Sequence, residues 1–517
     1  MITELTKKVS AHGSSKIKDL DALAAILRSL RLAGKKIIHC HGVFDLLHAG
    51  HVCHFEEAKK MGDILIVTLT PDIYVNKGPH RPAFPQQLRA RVIAALEIVD
   101  YVAINRWPAA TKTIELLRPD IYVKGPDYRD ATNDVTGNIE PEAQAVRSVG
   151  GKIEYTDGVT FSSSNLLNRH WSMFTPEAQA YLENFRQKYS ADEIRQYLES
   201  LRSLKVLVVG ETILDEYIYG DTIGKSAKES VLAMRYLSRD LHAGGILAVA
   251  NHIADFCDNV KLVTYLGATD SREEFVRSRL KSNIEPFFVF KSVSPTIVKR
   301  RYIENYSVSK LLEIYEMNDE TLNKEEEANF CELLDKHIVG SDVVVVADYG
   351  HGLIDLRAVN LFSQARFLAV NTQINAANIG FHAISKYKHA DYVCIHEGEL
   401  RLDCRSRKED VKKLTMDLAE RLECDSVMVT MGSRGTLFCD KGRAFSACPS
   451  FAVKVIDRIG AGDAVLALTS LCVRQNFPAD VTNFIGNLVG AQAVMIVGNK
   501  TSIGRVPLMK AVGSILQ

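Results

Sequence analysis

Two histidines three residues apart, His48 and His51, close the stretch Gly42-Val43-Phe44-Asp45-Leu46-Leu47-His48-Ala49-Gly50-His51. The apolar pair Ile37-Ile38 leads into it, and helix-favouring Val52 to Lys60 follows. The pattern predicts a strand, a tight turn and a helix, with both imidazoles on one side of the first helical turn. Gly42 and Gly50 let a ligand approach the backbone, and a helix start supplies free N–H groups and partial positive charge. Paired imidazoles there suit a triphosphate whose charge grows during reaction. The same spacing also fits a turn with two structural or metal-binding histidines, because motifs this short recur by accident. A second constellation is Asp457-Arg458-Ile459-Gly460-Ala461-Gly462-Asp463, followed by the apolar helix Ala464 to Cys472. Gly460, Ala461 and Gly462 would cradle a phosphate at the helix start, and Asp463 would take the proton from an attacking sugar hydroxyl. The plainer alternative is a glycine turn with a capping aspartate.

Around these residues the sequence predicts two α/β units. From Lys35 to about His170, strands at Ile37-Ile38, Ile64 to Leu69, Tyr101 to Ile104, Ile121 to Val123 and Ile153 to Tyr155 alternate with helical patterns. That alternation argues for a parallel sheet covered by helices, with ligands at the carboxyl ends of the strands, where His48 and His51 would lie. Ile17 to Leu32 has helical spacing, and the charged stretch Pro176 to Leu204 reads as a connecting helix. A second sheet opens at Lys205-Val206-Leu207-Val208-Val209-Gly210. It continues at Lys261 to Tyr265, Val343 to Ala347, Phe367 to Val370, Tyr392 to Ile395 and Ser426 to Thr430. Ser226 to Arg239 alternates and suggests a small β lid, whereas the acidic stretch from Glu313 to Glu327 reads as a solvated helix face. The expected organisation is therefore 1–34 as a helical extension, 35–170 as the first domain, 171–204 as a helical linker and 205–517 as the second domain.

Several further side chains are candidates. Lys124 follows a strand beside Gly125, where a lone amine pairs with phosphate. Lys77 and Arg81 lie in a glycine- and proline-containing loop placed to close over a triphosphate, unless it is simply a solvated surface loop. Ser162, Ser163 and Ser164 offer hydroxyl and helix N–H groups, or a plain cap. His39 and His41 alternate along the first strand and read as structural or rim groups rather than a metal site, and Asp45 as buried.

Composition removes other classes. The 517 residues imply two or more domains, and 46% hydrophobic with 24% charged residues is ordinary for a soluble globular protein. Lys+Arg and Asp+Glu are both 63, so no overall field points to nucleic acid or membrane. The 10 cysteines form no C-x-x-C pair and read as reduced thiols of a cytoplasmic protein. Met1 to Lys18 is polar, unlike a signal peptide, and no apolar run reaches the roughly 18 residues of a membrane span.

The first stretch matches G-x-F-D-x-x-H-x-G-H at every fixed position and resembles the cytidylyltransferase-like nucleotidyltransferases. The similarity continues through Lys77-Gly78-Pro79-His80-Arg81-Pro82, Arg89, Val123-Lys124-Gly125-Pro126-Asp127-Tyr128 and Phe161-Ser162-Ser163-Ser164-Asn165. It looks most like the adenylyltransferase half of the bifunctional ADP-heptose synthases. The second half resembles the ribokinase-type (PfkB) carbohydrate kinases. The matching residues are Asp215, Gly244-Gly245, Asp348-Tyr349-Gly350, Glu399, Thr430-Met431-Gly432-Ser433-Arg434-Gly435, the Asp463 segment and Asn487. The resemblance implies a Rossmann-like nucleotidyltransferase domain followed by a ribokinase-like domain with a lid, in the reverse of the order in the ADP-heptose synthases. It implies nucleotide contacts from Gly42, Phe44, Asp45, Gly50, Lys77, Arg81, Arg89 and Ser162 to Ser164, and catalysis by His48, His51 and Lys124. In the kinase half it implies ATP and anion contacts from Thr430, Gly432, Gly435, Gly460, Ala461, Gly462 and Asn487, sugar contacts from Asp215, Gly244 and Gly245, and Glu399 organising water around Mg²⁺. The implied nucleotide is ATP for both halves, with CTP open for the first. The implied partners are a heptose-like sugar or polyol phosphate and a homodimeric copy of the chain.

Three positions depart from the kinase pattern: Ala248 and His396 where asparagines are usual, and Asn371-Thr372-Gln373 in place of a D-P-K-like segment. In the first half His41 stands where relatives often carry asparagine. These changes imply an altered sugar substrate, or a weak or inactive kinase whose fold serves assembly or regulation. A chain that only senses sugar nucleotides is a third reading.

Overall fold

The computed structural model describes residues 15–75, 82–126, 139–156, 174–307 and 309–516. The chain divides into two compact units, 1–173 with 509–517, and 174–508. In the first, β1 (Ile37–Gly42), β2 (Ile64–Leu69), β3 (Tyr101–Ile104), β4 (Ile121–Lys124) and β5 (Lys152–Tyr155) form one parallel sheet in the order β3-β2-β1-β4-β5. Cys40 faces Val67 on one side and Val123 on the other, so the middle of the sheet is a buried apolar layer. The expected N-terminal helix is Leu20–Leu32, capped by Asp19, whose side chain accepts from the Asp21 N–H. Leu20, Leu23 and Leu27 recur at helical spacing and bury against Ile37, Ile66 and Ala103, so this helix covers the sheet. Strand order reverses between β1 and β4. The ends of those two strands therefore flank a crevice at which open α/β sheets bind ligands.

The second unit holds a nine-stranded sheet ordered β10-β9-β6-β13-β14-β15-β16-β17-β18, and a four-stranded sheet ordered β12-β11-β7-β8. In the large sheet these are β6 (Lys205–Gly210), β9 (Asn259–Gly267), β10 (Ile284–Lys291), β13 (Val343–Asp348), β14 (Leu368–Thr372), β15 (Tyr392–His396), β16 (Ser426–Thr430), β17 (Thr436–Cys439) and β18 (Phe445–Cys448). Its core strands read as unbroken apolar runs because both faces are buried, as at Val343 to Val346. The small sheet is β7 (Thr212–Lys225), β8 (Leu232–Gly245), β11 (Ile297–Glu304) and β12 (Ser309–Glu316). The expected lid is therefore present, but its strands run beyond 226–239.

Two expectations need correction. Glu313 and Glu316 lie on strand β12, not on a helix; the helix of that region is Lys324–Ile338. A strand exposed along nearly its whole length shows no apolar alternation, so its charges mimic a solvated helix. The stretch taken as one connecting helix is two, Pro176–Lys188 and Ala191–Ser200, each started by a capping hydroxyl, Thr175 and Ser190. Phe185 stacks on Phe484 with ring centroids 4.4 Å apart, so these helices are part of the second unit's core.

Candidate active sites

His48 is the N-cap of helix Ala49–Lys59, and His51 lies in its first turn, so β1 delivers both rings to the crevice. Their centroids are 3.9 Å apart. The His48 N–H donates to His51 Nδ1 at 3.4 Å, which leaves the proton of a neutral His51 on Nε2. Phe44 sits behind His51, ring to ring at 5.3 Å, and reaches it only by adopting a left-handed backbone with φ 46°. Such a conformation costs roughly 1–3 kcal/mol in a non-glycine residue, which the packing of Phe44 on Phe55 must offset. Gly42 makes room for that ring: a Cβ there would meet Phe44 at 3.0 Å. Asp45 is buried and accepts from the Ala83 N–H at 2.5 Å.

Lys124 ends β4, is 8% exposed, and pairs with Glu142 at 2.8 Å. Glu142 also accepts from the Tyr122 hydroxyl at 3.0 Å and the Ala110 N–H at 3.3 Å. A carboxylate thus holds the ammonium at the crevice. On β1, His39 and His41 both bond Thr68 Oγ1, at 2.7 and 2.8 Å, and His54 bonds Thr156 Oγ1 at 3.0 Å. Burial keeps these rings neutral, pushing His41 down to about 3 and His54 to about 4.

Arg89 is placed differently from its expected nucleotide contact. It is 2% exposed and donates to the carbonyls of Val43, Thr70 and Phe84 and to the Asp72 carboxylate. It ties the His48 turn to the end of β2, because a buried guanidinium must satisfy its donors within the protein. Lys77, Arg81, Ser162, Ser163 and Ser164 lie outside the described residues.

In the second unit the chemistry converges on a cavity of about 760 Å³. Asp215, Gly245, Glu399, Thr430, Gly432, Gly435, Gly460, Ala461, Gly462, Asp463 and Asn487, all singled out from the sequence, line it. Gly460 caps helix Ala461–Arg474 with φ 81°, and a Cβ there would meet Asn499 Oδ1 at 2.0 Å. No other residue type fits that start. Asp463 follows in the first turn, 5% exposed; burial raises its carboxyl to about 6. Asp215, on β7, pairs with Arg301 at 2.5 Å and accepts from Asn499 at 3.1 Å, while Gly244 leaves space for its carboxylate. Asn487 accepts from the Phe451 N–H at 3.0 Å and donates to the Cys448 carbonyl at 3.2 Å, fixing the wall it forms. Asp457 ties the loop before helix Ala461–Arg474 to the lid, accepting from Tyr217 and Lys310, each at 2.7 Å.

The residues present fit a hydrated cation near Glu399. Both its oxygens accept main-chain N–H groups, from Ile374 at 3.1 Å and His396 at 2.9 Å, and burial raises it to about 7. That suits a group ordering water rather than a direct ligand. Asn371 lines the same cavity, and its buried Oδ1 has no partner among the described residues, an acceptor suited to a metal-bound water.

Residues 203–502 match the family model of the pfkB family carbohydrate kinases. The chain belongs to that family. Residues 39–197, ahead of the kinase, match the cytidylyltransferase-like model. Over 169 residues the chain is 40% identical to the bifunctional protein HldE of Methylobacillus flagellatus, covering 32% of this chain and 33% of that protein. Over 156 residues it is 41% identical to HldE of Citrifermentans bemidjiense, covering 28% and 31%. These matches fall on the N-terminal part, and they span about a third of the length of those curated relatives. In fold the chain is similar to Escherichia coli phosphofructokinase-2 in complex with substrates and products. That match has a TM-score of 0.50 and 16% identity, and covers 61% of this chain and 100% of that one. The chain thus carries a nucleotidyltransferase-like domain and a pfkB kinase domain, both of enzyme families that use nucleoside triphosphates.

Sequence reasoning missed Glu142, Thr68, Lys299, Arg301 and Asn499, and it singled out Tyr349 and Gln373 without the contact that each makes to Asp463. None of the missed residues belongs to a local motif, whereas Tyr349 follows Asp348 in the pfkB pattern. Ala248, one of the expected departures, is buried in helix Ile246–Ala254. The N-cap of helix Glu397–Asp403 is His396, whose Nδ1 accepts from the Gly398 N–H at 3.0 Å, so it takes over the local role of an asparagine.

Proposed function

We propose that the chain makes a nucleotide-activated sugar in two reactions. In the nucleotidyltransferase domain a heptose-like sugar or polyol phosphate attacks the α-phosphorus of ATP or CTP and releases pyrophosphate. The phosphate monoester is already a competent nucleophile, so no covalent enzyme intermediate is needed. His48 and His51 donate to the phosphates at the helix start, and Lys124 exchanges Glu142 for the growing negative charge. Lys77, Arg81 and Ser162 to Ser164 are proposed to complete the triphosphate site. In the kinase domain Asp463 deprotonates a sugar hydroxyl while the Gly460-Ala461-Gly462 amides hold the phosphoryl group passing from ATP. Magnesium entering with the nucleotide would neutralise phosphate charge, with Glu399 and Asn371 holding its water.

The observation that carries the two-reaction reading is the kinase cavity itself. The base, the phosphate-cradling loop and the sugar-binding Asp215 share one space despite the departures at Ala248, His396 and Asn371 to Gln373. The second reading, a kinase fold kept for assembly or regulation, draws on those same departures. Lys299 also lines the cavity and forms no ion pair among the described residues, so anionic sugars belong among the acceptors. Exposed Leu232, Tyr236, Leu237 and Leu312 on the lid support a homodimer. Among the described residues no helix is long and apolar enough to cross a membrane.

The test is pyrophosphate release with ATP and CTP against a panel of sugar and polyol phosphates, beside ADP release with the sugars and their phosphates. Series function gives ADP from one compound, whose product then supports pyrophosphate release. Pyrophosphate with no ADP from any acceptor favours the assembly reading, and no pyrophosphate at all overturns the first reaction.

A further inference from the structure

Asp463 is gripped by two donors from separate parts of the chain, and both close on one oxygen. The Tyr349 hydroxyl donates to Oδ1 at 3.0 Å and the Gln373 amide to the same Oδ1 at 2.6 Å. Oδ2 has no hydrogen-bond partner among the described residues, and Asp463 borders the cavity. Neither donor is loose. The Tyr349 N–H is held by Glu211 at 3.0 Å, and its carbonyl accepts from Asn375 at 3.0 Å and Asn378 at 2.8 Å. The Gln373 N–H donates to the Asp348 carbonyl at 2.9 Å, which joins the end of β14 to that of β13. The clamp thus stands on two neighbouring parallel strands whose register is fixed at Asp348 opposite Thr372.

We propose that Gln373 is a positioning residue of the kinase site: with Tyr349 it locks the Asp463 carboxylate so that Oδ2 alone meets the acceptor hydroxyl. The proposal rests on the reading of this unit as an active kinase. It recasts the Asn371-Thr372-Gln373 segment as a working arrangement in which a neutral amide orients the base. An amide suits the place, because it donates one hydrogen bond without adding a fixed charge beside the carboxylate. The charged and titratable groups around Asp463 are Asp215 on β7, Lys299 on β11, Glu399 on helix Glu397–Asp403, Cys394 on β15 and the Tyr349 hydroxyl. Asp215 opposes ionisation of Asp463, while Lys299 and the two clamp donors favour it.

The experiment compares Gln373→Leu and Gln373→Lys with the wild type in the full chain. It follows ADP release across pH with the acceptor found in the panel, nucleotide binding to the kinase half by a fluorescent ATP analogue, and pyrophosphate release as an internal control. Gln373→Leu is expected to lower kcat for ADP release about tenfold or more, with the KM for ATP and analogue binding within about twofold of wild type. Its acid limb moves to higher pH, because the carboxylate has lost a donor that favoured ionisation. Gln373→Lys moves the acid limb to lower pH, because a cation beside the carboxylate favours ionisation. An acid limb that stays in place in both variants, or a Gln373→Leu effect confined to KM, overturns the positioning role while the kinase reading survives. A wild type that releases no ADP with any acceptor overturns the kinase reading and this inference together.

Discussion

The two candidate sites are built with opposite sequence economy. In the first candidate site two of the three proposed catalytic side chains, His48 and His51, are three residues apart on one helix start, and distant elements supply the third, Lys124, and the support: Thr68 on β2, Glu142 beneath Lys124, Arg89 behind the turn. In the kinase site the reactive carboxylate is local to its loop, but its orientation depends on Tyr349 and Gln373, 114 and 90 residues away. The first site is therefore sensitive to its own motif, and the second to the register of a sheet. The two also differ in charge storage. Lys124 rests against a carboxylate, whereas Lys299 is buried at its cavity with no ion pair among the described residues.

Crossed inactivation is the strongest way to break this comparison. His48→Ala is expected to lower pyrophosphate release by about 10²–10³-fold while ADP release persists. Asp463→Asn is expected to lower ADP release by about 10²–10⁴-fold and leave pyrophosphate release intact. Both rates falling in either variant would show that the sites do not work independently. A smaller effect separates support from chemistry in the first unit. Arg89→Ala leaves the carbonyls of Val43, Thr70 and Phe84 without their donor, so stability of that unit falls by roughly 2–4 kcal/mol. Calorimetry of the full chain should show its transition shift while that of the kinase unit stays; a loss of turnover without a shift would instead make Arg89 a ligand contact.

The smallest effect distinguishes the units by pH. His39 and His41 are buried neutral, with folded pKa values depressed below that of the unfolded chain. The unfolded state therefore binds protons first, so their contribution to stability is full above about pH 6.5 and is lost as pH falls below it, for His41 down to about 3. The expected slope is up to roughly 1.4 kcal/mol per pH unit for each histidine. Thermal scans between pH 7 and 5 should show the first unit weakening; an unchanged transition would mean that these rings take up protons without unfolding. The Gln373 variants sharpen the same contrast from the other side, because only the kinase rate should follow their acid limb.

The fold class was legible because buried parallel strands announce themselves as apolar runs, as in β6 and β13, and because helices such as Leu20–Leu32 repeat leucine at helical spacing. Strand β12 was not, since a strand bathed in solvent carries no pattern to read. The helix starts at His48 and at Gly460 could be read because their local geometry lies within a few consecutive residues. Arg89 shows the limit of that method: the residue type suggested a phosphate contact, but its burial beneath two loops assigns it to their carbonyls.

By itself the sequence determined which reactive groups exist and which short turns present them, because a turn or a helix start is encoded by neighbours along the chain. Tertiary structure alone decided what stands behind those groups. Whether Lys124 is paired, which oxygen of Asp463 is open, and which strand end brings Gln373 to it all depend on residues far apart in sequence. Contacts of that kind form only when burial forces buried polar groups to find partners, and periodicity along the chain carries no record of which partner that will be.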